Sequence, residues 1–186
     1  MRSTRGQFIV EGMIAMGIIV SSVLGIFSLA ISALRTSSVV TDQFIAANLA
    51  AEGLEVTKNI LDSNVVREDS WNENFSDNDC IEVFYESMHS ESDLRHLLTC
   101  DGPSENDIDL TFGEARFLRI NGEGLYDYNE AGETTATIFK RWIQIRPLSD
   151  LKIRAIATVA WYDPRHPAEI RSSKIATDFI GWRAEQ

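Results

Sequence analysis

One carboxylate stands at the edge of the most apolar part of the chain. Glu11 follows the apolar residues 8–10 and precedes 23 consecutive uncharged residues, positions 12–34. A carboxylate within a membrane segment costs a few kcal/mol, so it indicates a function and needs a cationic partner. The alternative is that Glu11 lies at headgroup depth, where it reaches water and favours the helix dipole.

Cys80 and Cys100 are the only cysteines in the chain. Both are expected to lie outside the membrane, where cysteines can be oxidised. An even number of cysteines in nearby segments then predicts a disulfide between them, and two reduced thiols are the alternative. A zinc site is not predicted, because neither the cysteines nor the histidines have ligand spacing.

Oxygen ligands suitable for Ca²⁺ gather in one loop around Gly102. The candidates are Asp101, Asn106, Asp107 and Asp109. The EF-hand spacing is absent, so a solvated acidic loop is the preferred interpretation, and no metal or other cofactor is predicted.

No catalytic arrangement stands out elsewhere. The sequence lacks a GxSxG elbow, and residues 122–124 lack the third glycine of a dinucleotide loop. The abundant carboxylates between 62 and 133 indicate a solvated surface, and strand aromatics are more often core than ligand site. The chain is predicted not to be an enzyme.

The elements that position these residues begin with a membrane segment. At 1.5 Å per residue, residues 12–34 span roughly 35 Å, enough to cross a hydrocarbon core. Arg2 and Arg5 precede the segment, which predicts a cytoplasmic N-terminus and the bulk of the chain outside. A buried core helix and a cleaved secretory signal peptide are the alternatives.

The helical pattern continues beyond the membrane segment. No proline occurs before Pro103, so one helix is predicted from about residue 7 to residue 61. Within residues 35–61, apolar side chains recur at helical spacing and form a stripe that needs a partner. The stripe consists of Ile45, Leu49, Val56 and Ile60.

After residue 62 the pattern changes to loops and strands. Residues 63–79 and 101–114 are predicted to be loops, with short ordered pieces at 80–87 and 95–100 and a hairpin on either side of 121–124. Three antiparallel strands follow over 135–145, 151–163 and 168–182, joined at 146–150 and 163–167. Apolar residues occur at alternate positions of the middle strand and therefore share one face of the sheet. We expect the apolar stripe of the helix to pack on that face.

Charge is unevenly distributed along the chain, whose net charge is −11. Residues 62–133 hold 19 acidic and 4 basic groups, whereas residues 134–186 hold 5 acidic and 9 basic groups. Nucleic-acid affinity depends on lysine and arginine, so the acidic excess argues against a nucleic-acid partner.

Residues 5–11, RGQFIVE, resemble the prepilin signal of type IV pilins and pseudopilins. In that signal a short basic leader ends in glycine, here Gly6, and a hydrophobic stretch is interrupted only by a glutamate at the fifth mature position, which is Glu11 when Gln7 counts as one. Residues 46–60 resemble the helix of minor pilins related to type II secretion pseudopilins. Residues 137–145, 159–161 and 180–182 resemble the C-terminal strands of that group.

The resemblance implies a division of the chain into a leader (1–6), a transmembrane and filament-core helix (7–34), an amphipathic helix half (35–61) and an extracytoplasmic domain (62–186). That domain would consist of acidic loops (62–133) and antiparallel strands (134–183). The implied fold is α+β, with the helix packed on the sheet. A membrane peptidase would cut after Gly6 and methylate the amine of Gln7.

The function implied is that of a structural subunit, minor rather than major, of a type IV pilus or related filament. Its partners would be other pilin subunits, the prepilin peptidase, the assembly machinery and membrane lipid. The subunit would wait in the cytoplasmic membrane with its domain outside and then enter the extracellular filament. The alternative is a single-pass membrane protein whose extracytoplasmic domain binds a ligand.

Overall fold

The computed structural model describes residues 5–73, 75, 80–83, 96–98, 108–128, 130, 133–163 and 166–181. It divides into two units, residues 1–42 and 43–186. The described part of the first unit is helical throughout. The second unit contains the remaining helical residues and a β-sheet, so the chain has the predicted α+β fold.

The first helix, α1, runs over Arg5–Val66 and confirms the long helix predicted for 7–61. It ends in a tight hydrogen-bonded turn, in which the Asp69 N–H donates to the Asn64 carbonyl at 3.1 Å. Glu68 has a φ of 66°, the left-handed conformation that closes this type of helix terminus. The helix end is thus fixed by its own backbone.

Among the described residues the sheet has seven strands, and all their pairings are antiparallel. In chain order the strands are β1 (Cys80–Glu82), β2 (His96–Leu98), β3 (Phe117–Ile120), β4 (Tyr126–Asp127), β5 (Thr135–Ser149), β6 (Lys152–Asp163) and β7 (His166–Ile180). Strand β5 is central: β6 pairs along one edge, while β1 and β3 pair with different stretches of the other. The predicted hairpin is β3–β4, and the three predicted C-terminal strands are β5, β6 and β7.

The main core lies between the C-terminal part of α1 and one face of the sheet. The predicted stripe is confirmed, because Leu49, Val56 and Ile60 are buried there and Ile45 packs at its margin. The alternating residues of β6 supply the opposing surface. They are Ile153, Ala155, Ala157, Val159 and Trp161.

A second, smaller core covers the other face of the sheet. It contains Cys80, Phe112, Trp142 and Ala160 among its buried residues. Phe112 belongs to a short helix, α2 (Ile108–Glu114), in a segment that the sequence analysis predicted to be a loop. That prediction was wrong because α2 is held by tertiary burial of Phe112 and Ala115 rather than by a long periodic pattern.

Two further connections differ from expectation. Residues 63–79 are not simply a solvated connection, because Trp71 and Phe75 are buried in the main core. The predicted linker 146–150 is mostly strand: β5 continues to Ser149 with an irregularity after Pro147, and the turn occupies only residues 150–151. In both cases distant packing partners order a segment whose local composition is polar or turn-forming.

Candidate functional site

The first candidate site is the apolar part of α1. Its most apolar window has a mean hydropathy of 2.4 and is not buried at all, so the helix is long and apolar enough to cross a membrane. Glu11 is exposed on this helix among exposed apolar neighbours such as Val10 and Met13. Within the part of the chain that the structure describes, Glu11 makes no ion pair or hydrogen bond. A carboxylate so placed could pair with a cation of another molecule.

Gly6 and Gln7, the predicted processing residues, lie in the first turn of α1. Their helical backbone places Glu11 about one turn beyond Gln7, since an α-helix has 3.6 residues per turn. Cleavage and methylation at these positions stay predictions.

Cys80 is disulfide-bonded and buried in the smaller core. Its predicted partner, Cys100, lies outside the described residues, so the Cys80–Cys100 pairing stays a prediction. Strand β1, which carries Cys80, is held between β2 and β5. The bond is therefore anchored in the sheet at one of its ends.

Of the calcium candidates, Asp101, Asn106 and Asp107 lie outside the described residues. Asp109 falls within α2 rather than in a loop. Among the described residues, no group of three or more histidine, cysteine, aspartate or glutamate side chains could hold a metal ion. The described residues thus add no support to a calcium site.

Sequence reasoning did not single out Arg141, a fully buried arginine of β5 that joins the sheet to α1. Its guanidinium donates to the Leu49 carbonyl at 3.0 Å and to Glu52 at 3.1 Å, both on the helix, and to the Val83 carbonyl at 2.8 Å. Gly53 makes this approach possible: a Cβ there would stand 2.9 Å from Ile143 Cδ1 and 3.1 Å from Arg141 Cδ. The group fixes the position of the helix on the sheet.

A second buried polar group lies on the opposite face of β5. The Glu82 carboxylate accepts hydrogen bonds from the Arg116 backbone N–H at 2.6 Å and from its guanidinium at 2.7 Å. The Lys140 ammonium donates to the Phe112 carbonyl and lies 4.6 and 4.5 Å from the ring centroids of Phe112 and Phe117. Burial lowers the pKa of Lys140, and the charge of Glu82 opposes that shift. These contacts attach α2 and β3 to the sheet.

A cavity of about 130 Å³ opens between the end of α1 and the end of β7. Trp71, Phe179 and Gly181 are among the residues that line it, and Lys58 and Asp62 stand on its helix side. Trp71 packs so closely on Gly181 that a Cβ there would lie 2.6 Å from the indole ring. The aromatic side chains of Trp71, Tyr128 and Trp161 are buried in the main core, and Tyr126 packs against it, as the preference for core over ligand contact predicted.

These features define an α+β domain with an apolar, membrane-compatible N-terminal helix, and near the start of that helix a carboxylate without a partner among the described residues. No protein-family model, no curated protein and no solved structure matches the chain.

Proposed function

We propose that this chain is a structural subunit, of the minor pilin type, of a type IV pilus or a related filament. The observation that carries the proposal is the Glu11 carboxylate, exposed on an apolar helix without a partner among the described residues. In a membrane or in a filament core such a group requires a cation. The α-amine of Gln7, created by cleavage after Gly6, is the cation that the prepilin resemblance supplies.

Assembly follows from this pairing. In a staggered stack of identical helices, the Gln7 amine of one subunit meets Glu11 of its neighbour, and this contact sets the axial register. The apolar surface of residues 12–34 leaves lipid and packs against other subunits. Lipid and other pilins are therefore successive partners of the same surface.

The fold of the second unit is consistent with this role. The C-terminal part of α1 is built into the main core and further tied to the sheet by Arg141. One helix thus supplies both an apolar assembly segment and a structural part of the domain. No step of catalysis enters the proposal.

The test is the N-terminus of the mature protein, measured by intact mass and N-terminal sequencing after expression with a prepilin peptidase. A pilin subunit begins at Gln7 and carries a methyl group there, whereas a static membrane anchor retains Met1 or loses only that residue. Gly6→Leu should block processing, because the peptidase is expected to accept only a small residue, and Gly6→Ala is the matched control. Removal of the leader from the Gly6→Leu variant, or an uncut wild-type chain, would contradict the proposal.

A further inference from the structure

A patch of basic side chains lies on the sheet face opposite α1. Ile153 and Ala155 point into the main core, so the alternate residues Lys152 and Arg154 point to the other face. Arg146 lies directly opposite Arg154 in the β5–β6 register. We call Arg146, Lys152 and Arg154 the basic face.

The charges of the basic face are not balanced within the domain. Asp178 accepts two hydrogen bonds from Arg154, at 2.7 and 3.1 Å, and pairs with Lys152 at 2.9 Å. These bonds, from Arg154 first and then Lys152, hold the pKa of Asp178 well below its usual range. Arg146 has no ion pair or hydrogen bond among the described residues and faces another arginine, an arrangement that is unfavourable in a sheet. Even with Asp150 in the adjoining turn, the patch keeps a net positive charge.

A complementary surface lies at the same end of the domain but on the helix side. Glu68, Asp69 and Glu73 are all exposed in the segment that follows α1, and we call them the acidic turn. Two side chains hold the segment in place. The Trp71 indole N–H donates to the Asp150 carbonyl at 3.2 Å. The Asn64 amide donates to the Trp71 and Glu73 carbonyls. The acidic turn follows a helix that packs on the sheet face opposite the basic face.

We propose that the acidic turn of one copy of this chain docks on the basic face of the next. The contact uses two different surfaces, so it is heterologous and can repeat without closing into a dimer. A second copy is the occupant we propose because it carries the acidic turn, whose exposed carboxylates are complementary in charge to the basic face. The inference takes its setting, a filament of repeated subunits, from the proposed function.

The test is self-association of the full chain in nonionic detergent micelles, measured by sedimentation equilibrium at about 20 mM and about 500 mM salt. Association should weaken at high salt, because the Debye length falls from about 20 Å to about 4 Å. Arg146→Glu should weaken low-salt association about fivefold, since it replaces an attraction by a repulsion. Lys58→Glu, the same charge change on the exposed side of α1, is the matched control and should not weaken it.

A reciprocal variant identifies the partner surface. Asp69→Lys should weaken association as Arg146→Glu does, while an equimolar mixture of the two variants should recover it, because each then meets an opposite charge. Salt-independent association, or an Arg146→Glu variant that behaves like Lys58→Glu, would overturn the contact. So would an Arg146→Glu variant whose only loss is binding to phosphatidylglycerol vesicles or DNA. None of these outcomes depends on cleavage after Gly6. Absence of this contact would therefore not contradict the proposed function, and an uncut N-terminus would not contradict the contact.

Discussion

At the scale of single residues, the two most informative side chains have opposite surroundings. Glu11 is exposed on an apolar helix and lacks a partner among the described residues. Tyr128 is buried in the main core, and its hydroxyl donates to the Arg141 carbonyl at 2.8 Å. In the proposed function the first residue pairs with another molecule, whereas the second completes the interior of its own domain.

Replacement of Glu11 by alanine should have two effects of opposite sign. Membrane insertion should improve, because a charge leaves an apolar segment, and filament assembly should fail, because the Gln7 amine loses its partner. The measurement compares the membrane pool with sheared filaments for wild type and variant, after leader cleavage has been verified in both. A processed variant that enters filaments as well as wild type would remove Glu11 from the assembly mechanism.

Tyr128 makes the stability of the domain depend on alkaline pH. Burial raises its pKa from 10.0 to about 12, against the opposing effect of the Arg141 charge. The neutral hydroxyl is therefore favoured in the folded state, and this contribution is complete below about pH 10 and is lost as the pH rises toward 12.

Tyr128→Phe should cost about 1 kcal/mol of unfolding free energy at neutral pH, through the lost hydrogen bond. The difference in unfolding free energy between the variant and wild type should narrow or reverse between pH 10 and pH 12, because only the wild type is destabilised by ionisation of Tyr128. Urea unfolding followed by tryptophan fluorescence measures both values, with Tyr126→Phe, at a half-buried neighbour, as the control. A constant difference across this pH range would show that Tyr128 titrates alike in folded and unfolded chains.

At the scale of elements, the contact between α1 and the sheet depends on a missing side chain. Gly53 lets Arg141 and Ile143 approach the helix closely enough for the guanidinium to reach the Leu49 carbonyl. Both neighbours are fully buried, so a shift of either side chain would disturb the packing around it. The helix and β5 therefore share one fixed position.

Gly53→Ala should destabilise the domain by about 1–3 kcal/mol through overpacking, although alanine is the better helix former by about 1 kcal/mol. Gly113→Ala provides the control, since Gly113 also lies in a helix but has open space around its Cβ position. That variant should be neutral or slightly stabilising. If thermal unfolding of the full chain in detergent gives the same shift for both variants, Gly53 is not a contact glycine.

The elements that the sequence predicted are those with a long regular pattern. The stripe of α1 and the alternation of β6 are visible locally, because burial on one face imposes a period of 3.6 or 2 residues. Helix α2 and the buried Trp71 were missed, because each is ordered by partners far away in the chain, such as Lys140 and Asp150. The contacts of Arg141 with α1 were missed for the same reason: nothing in the neighbourhood of Arg141 in the sequence indicates a helix carbonyl as its partner.

At the scale of the whole molecule, the disulfide affects the stability of the domain. Cys80 brings a covalent bond into the smaller core, next to Trp142 and Ala160. A bond from Cys80 to Cys100 would close a loop of about 20 residues and restrict the unfolded chain. Such a restriction stabilises every element at once.

Reduction should therefore lower the unfolding free energy by about 3 kcal/mol, a value expected for a loop of this length. The measurement is thermal unfolding with and without reductant, and a Cys80→Ser, Cys100→Ser double variant should be insensitive to it. Peptide mass spectrometry without reduction should find the two cysteines linked. An unchanged melting temperature in reductant would exclude a stabilising role for the bond.

Strand β5 carries two adjacent buried cations, Lys140 and Arg141, on opposite faces. A residue inserted or deleted immediately before Lys140, with the preceding part of β5 held in register, would exchange these faces, taking Lys140 to the helix and Arg141 to the aromatic rings of α2 and β3. Neither cation would then reach the backbone carbonyl to which it donates. We therefore expect natural insertions and deletions in the turn at Gly122 and not in this part of β5. Distant relatives of this chain should align across residues 139–143 without gaps, even where few of their amino acids are identical.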